Sequence, residues 1–110
     1  DTAHERQPPS FRSPSGAVED SFYQACGRQL FDASSITAEV LIVRCERDFW
    51  SRPQDAEALR SHLARAAGVA SITIPGASHY VHLDRGAAGR DAFMRGVQSF
   101  LQAGARHVTF

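Results

Sequence analysis

The chain has 110 residues, and its 12 basic and 12 acidic side chains cancel to a formal charge of zero. That length suits one modest domain, and the balance removes the charge excess that marks nucleic-acid and anionic-membrane binders. An apolar share of 43% is ordinary for a globular chain, and no uninterrupted apolar run approaches the roughly 20 residues of a membrane-spanning helix, so neither a nucleic acid nor a membrane is expected as partner.

In chain order, residues 1–16, DTAHERQPPSFRSPSG, are rich in Pro, Ser and charge without an apolar period, and read as a flexible arm. Val18, Phe22, Ala25, Cys26 and Leu30 then recur at helical spacing on one face, a short helix weakened at its end by Gly27. In AEVLIVRCERD the continuous run Val40, Leu41, Ile42 and Val43 predicts a strand covered on both faces, as in a parallel sheet. SRPQDAEALRSHLARAAG opens with helix-start signals: Ser51 with Gln54 three residues on, Pro53 in the first turn, and Asp55 and Glu57 where the helix dipole favours them. Ala56, Leu59, Leu63 and Ala66 form its apolar stripe, and Gly68 its left-handed stop.

VASITIP alternates Val69, Ser71 and Thr73 with Ala70, Ile72 and Ile74, a second strand ended by Pro75 and Gly76. Strand, crossover helix and strand make a right-handed parallel unit. Phe93, Val97, Phe100 and Leu101 mark a last helix from about Arg90 to Ala103, closed by Gly104. The expected class is therefore α/β. Two strands leave an unpaired sheet edge, so a missing segment or self-association through that edge is expected to cover it.

In open parallel sheets, loops from neighbouring strands converge beyond the carboxyl ends of the strands, above a rigid floor. Asp48 follows the first strand and His79 the second. Side by side, the carboxylate accepts the imidazole Nδ1 proton, fixes the tautomer and leaves Nε2 facing a reacting group, a general base with its orienter. The alternative is that Asp48 caps the turn or helix that follows and His79 is a surface loop residue.

VLIVRCERDFW, SRPQDAEAL, ITIPGASHYVHLDR and FMRGVQSFL together resemble the C-terminal third of an alpha/beta-hydrolase, over roughly Ile36 to Leu101. The resemblance implies that residues 36–110 are the C-terminal part of that core, with its last two parallel strands, crossover helix and C-terminal helix. It implies, more loosely, that residues 17–35 end a cap-like helical segment. Asp48 takes the place of the family's acid and His79 that of its histidine, 31 residues apart. Cys45 stands where the family often has Gly in a GExD turn. The family's nucleophile sits in a G-x-S-x-G elbow upstream of the acid, and that pentapeptide does not occur here. The implied function is thus a C-terminal fragment or chain of a serine-type hydrolase cleaving carboxylic esters or related acyl bonds. The implied partners are the N-terminal part of the same enzyme and a small ester-like substrate, with no cofactor. Alone, the chain is expected to be inactive. An Asp at the missing elbow would instead imply an epoxide hydrolase or dehalogenase, and a non-catalytic α/β interaction domain is the rival class.

Phe49, Trp50 and Tyr80 flank the proposed pair and are candidates for an apolar substrate pocket, or equally core aromatics. His79, His82 and Asp84 are spaced closely enough to be weighed as metal ligands, but His82 reads better as a loop residue supporting His79, and no metal site is expected. Two cysteines make no disulfide framework, and neither sits in a C-x-x-C pair. Cys26, on the apolar side of its helix, and Cys45, beside a strand, read as packing residues. Reduced thiols favour a cytoplasmic setting without fixing one. Arg44, Arg47 and Arg52 near Asp48 read as solvated cations.

Overall fold

A computed structural model describes Glu5, Gln7, Pro8 and residues 14–108. Most of the expected N-terminal arm lies outside the described residues. The chain divides into two compact units, residues 1–32 and 33–110.

In the first unit, α1 (Gly16–Ala25) is closed at Cys26, whose N–H reaches the Phe22 carbonyl, with Gly27 in the left-handed region at φ 78°. The helix forms where its spacing predicts, but its apolar stripe is not buried: Val18 and Phe22 remain exposed, and so does Cys26. Spacing reveals that a face can be covered, and says nothing of whether a surface covers it.

The second unit is mixed α/β. Strands β1 (Glu39–Cys45) and β2 (Gly68–Ile74) pair in parallel, from Glu39 opposite Gly68 to Cys45 opposite Ile74. They are joined by α2 (Pro53–His62), and α3 (Arg90–Ala103) follows β2. Each sheet face buries its own apolar cluster. On one face Cys45, Ile72, Ile74, Ala77 and Val81 pack with Ala92 and Phe93 of α3. On the other, Ala33, Ile42 and Leu63 pack with Ala56 and Leu59 of α2. The alternation in β2 is as expected, with Ala70, Ile72 and Ile74 buried and Ser71 and Thr73 exposed. The second unit begins at Ala33, a buried member of this core.

Several expectations need correction. The residue before α2 is Arg52, not Ser51: the Asp55 carboxylate accepts the Arg52 backbone N–H at 2.9 Å and pairs with its guanidinium at 3.0 Å. This supplies the reciprocal half of the expected capping box from a different pair. The helix also stops early, at His62, and after a turn Ala67 gives its N–H to the carbonyls of Thr37 and Ala38 in sheet-like pairing. Gly68 is consequently the first residue of β2 and lies outside the left-handed region. In α3 both ends are as expected, with Gly104 at φ 74°, but Leu101 is exposed. Gly89, before α3, is required: at φ 132° a Cβ there would lie 2.6 Å from that of Ala77.

Among the described residues the edge of β1 away from β2 has no partner strand. A groove of about 360 Å³ runs beside it, lined by Val40 to Arg44 and by Ala56 and Leu59 of α2. No helix of the described residues is long and apolar enough to cross a membrane.

Candidate functional site

Strand pairing does not stop where the strands do. Glu46 gives its N–H to the Ile74 carbonyl at 3.1 Å, and Arg47 gives its own to Ala77 at 3.0 Å. The Glu46 carboxylate in turn accepts the Gly76 N–H at 2.7 Å. Pro75 ends β2, and Gly76 at φ 68° turns the chain so that Ala77, with no exposed surface, drops into the core. The two loops at the carboxyl ends of β1 and β2 are thereby zipped together, and the residues just beyond the zipped stretch are Asp48 and His79.

Their side chains meet. His79 Nδ1 lies 2.8 Å from Asp48 Oδ2. An ionised carboxylate only accepts hydrogen bonds, so this contact requires the proton on Nδ1. The other oxygen, Oδ1, accepts the backbone N–H groups of Trp50 at 2.9 Å and Ser51 at 3.1 Å. The Asp48 side chain is 7% exposed. Burial pushes its pKa up, but the bonds from His79, Trp50 and Ser51 outweigh that and hold it below the ordinary 3.8. Asp48 is therefore a carboxylate at neutral pH. One carboxylate oxygen thus caps the turn that follows while the other meets the imidazole, so the two contacts weighed as alternatives coexist in one residue.

The imidazole is 45% exposed and stands between two aromatic rings. Its centroid is 5.6 Å from that of Trp50 and 5.0 Å, nearly edge-on, from that of Tyr80. A concavity of about 240 Å³ opens there, lined by Arg47, Phe49 and Ser78 as well as by the pair and the two rings. All three aromatic candidates thus border one hollow, and none is a core residue: Phe49 is 90% exposed and Trp50 81%. With Nδ1 committed to Asp48, Nε2 is the nitrogen left to take a proton from a group in this hollow.

Two residues at the site carry roles that sequence spacing does not assign. Ser78 gives its backbone N–H to Asp84 Oδ2 at 2.8 Å and its hydroxyl to Oδ1 at 2.7 Å. Its Oγ accepts the Tyr80 N–H at 3.2 Å. The Ser78 hydroxyl proton thus goes to Asp84 and not to the imidazole. The available signal is a short polar residue and a carboxylate bracketing a tight turn.

The remaining candidates separate. Asp84 spends its carboxylate on Ser78, and its pKa is held low by those two bonds. His82 is exposed, with its ring 6.3 Å from that of Tyr80. Among the described residues no three His, Cys, Asp or Glu side chains are grouped to hold a metal ion. Cys45 is buried, and desolvation with the nearby Asp48 and Asp84 charges pushes its thiol pKa up, which suits packing rather than nucleophilic attack. Cys26 is exposed, contrary to the packing role expected of it. Arg47 borders the hollow, Arg44 reaches the Cys45 carbonyl, and Arg52 pairs with Asp55.

Compared with known proteins, the chain matches no family model, no curated protein and no solved structure.

Proposed function

We propose that Asp48 and His79 are the acid and general base of a serine-type alpha/beta-hydrolase, to which this chain contributes the C-terminal part of the core. The observation that carries the reading is the 2.8 Å Nδ1 to Oδ2 contact between loops at the carboxyl ends of two adjacent parallel strands. In this reading the nucleophilic serine and the oxyanion donors come from another segment. His79 Nε2 takes the serine proton as the oxygen attacks an ester carbonyl, and Asp48 holds the ring and stabilises its cationic form. The imidazolium then returns the proton to the leaving alcohol, and the same nitrogen activates water to release the acid. Phe49, Trp50 and Tyr80 present the apolar wall for the substrate.

The test uses material isolated together with this chain. Native and denaturing mass spectra identify any companion segment, and a fluorophosphonate labels its nucleophilic serine. Labelling that slows by ~10²-fold or more in the His79→Ala form supports the reading. Labelling at an unchanged rate, or no labelled species, overturns it.

The open β1 edge and its groove favour a second reading, a non-catalytic domain that accepts a partner by strand addition. Partner binding that survives His79→Ala, in a protein never labelled by the fluorophosphonate, is the outcome that carries it.

A further inference from the structure

His79 sits in a loop, and a loop residue can keep a 2.8 Å bond only if the backbone on both sides of it is fixed. A drift of about 1 Å takes such a bond beyond hydrogen-bond range and is enough to misplace a reacting group. The residues flanking His79 are both tied to one point. Ser78, before it, gives its N–H and its hydroxyl to the two oxygens of Asp84. Tyr80, after it, gives its N–H to the Ser78 Oγ, and its carbonyl accepts the Asp84 N–H at 3.2 Å. The carboxylate thus reaches back over the turn while the amide of the same residue closes it. Ala77 and Val81, buried on either side, fasten the loop to the core.

We propose that Asp84 is a positioning residue for His79: by clamping Ser78 from both its polar groups, it sets the backbone on which the imidazole meets Asp48. Asp84 does not line the hollow, and both its carboxylate oxygens go to Ser78, so it acts through Ser78 and is not itself a catalytic residue. Its ionised state at neutral pH is consistent with the two bonds it accepts, which lower its pKa. The inference rests on the reading of His79 as base and Asp48 as its orienter.

The test reads the tautomer of His79 directly, by 15N NMR of the 110-residue chain with labelled histidine, above pH about 8 where an ordinary imidazole is neutral. In the wild type the Nδ1–H form dominates, and in Asp48→Ala that preference is lost. In Asp84→Ala the Nδ1–H fraction falls toward the Asp48→Ala value, and in Ser78→Ala it falls in the same direction by less. A residue that merely stabilised the loop would lower the melting temperature of the folded variant without moving the tautomer. An unchanged fraction in folded Asp84→Ala overturns the proposal. If that variant does not fold, an unchanged fraction in Ser78→Ala overturns it. A wild type that already matches Asp48→Ala removes the base-and-orienter reading and this inference together. A wild-type preference lost in Asp48→Ala but kept in the Asp84 and Ser78 variants removes this inference alone.

Discussion

The loop after β2 and the loop after β1 each carry half of the candidate site, and they are held by opposite means. The β2 loop is anchored by burial, with Ile74 1% exposed and Ala77 fully covered, and its polar turn is closed by Asp84. The β1 loop has almost no apolar anchor beyond Cys45. Phe49 and Trp50 point their surface outward, and past the Glu46 and Arg47 bonds to the β2 loop the backbone is held by Asp48 itself, which accepts the N–H groups of Trp50 and Ser51. His79 is thus positioned by its surroundings, while Asp48 positions its own. Losing the acid should therefore damage more than its bond to the histidine.

The largest effect is expected where the β2 loop meets the core. Ile74→Ala should lower stability by about 2–5 kcal/mol, seen as a reduced midpoint in urea. A smaller loss would mean that the loop does not depend on that anchor. Next in size is a direct contrast at the site. Asp48→Ala leaves the amides of Trp50 and Ser51 and the His79 Nδ1–H without their acceptor, and should cost about 1–3 kcal/mol. His79→Ala removes a half-exposed ring and leaves Asp48 its two backbone donors, so it should cost clearly less. Equal losses in the same urea titration would break the asymmetry between the loops.

The smallest effect concerns acid. Asp48 and Asp84 are both held below the ordinary 3.8, so their contribution to stability is complete above about pH 4 and fades as pH falls through the lowered values. Melting temperatures measured down through that range should decline, and Asp48→Asn and Asp84→Asn should each flatten the decline. A wild-type curve no steeper than those of the variants would show that neither carboxylate is stabilised by folding.

The parts of the fold legible in the sequence are those written in local pattern. The alternation of Ala70, Ile72 and Ile74 is a strand period, and Gly104 marks the end of α3 because few other residues accept φ 74°. The meeting of Asp48 and His79 is legible for a related reason: each follows a strand, and parallel neighbours bring such loops together. What eluded the sequence depends on contacts between distant segments. The end of α2 at His62 and the pairing of Ala67 with Thr37 and Ala38 are one such case. The exposure of Phe22 and Leu101 depends on whether another surface meets them. Asp84, read as a potential ligand, gives both oxygens to a serine six residues away, a partnership that turn geometry decides and composition does not.

The Glu46 and Arg47 bonds that carry the ladder past the strands have a consequence for how such a sequence can diverge. Asp48 stands three residues beyond Cys45, and His79 five beyond Ile74. Those two short offsets decide whether the two side chains meet, because each is counted from paired backbone. The crossover between His62 and Gly68 can gain or lose residues without altering either offset. One residue inserted between Cys45 and Asp48 would turn the carboxylate away, as a slip of one turns a strand's side chains to the other face. Distant versions of this site can therefore differ widely in the interval between acid and histidine, and are better sought by the distance of each from the end of its own strand.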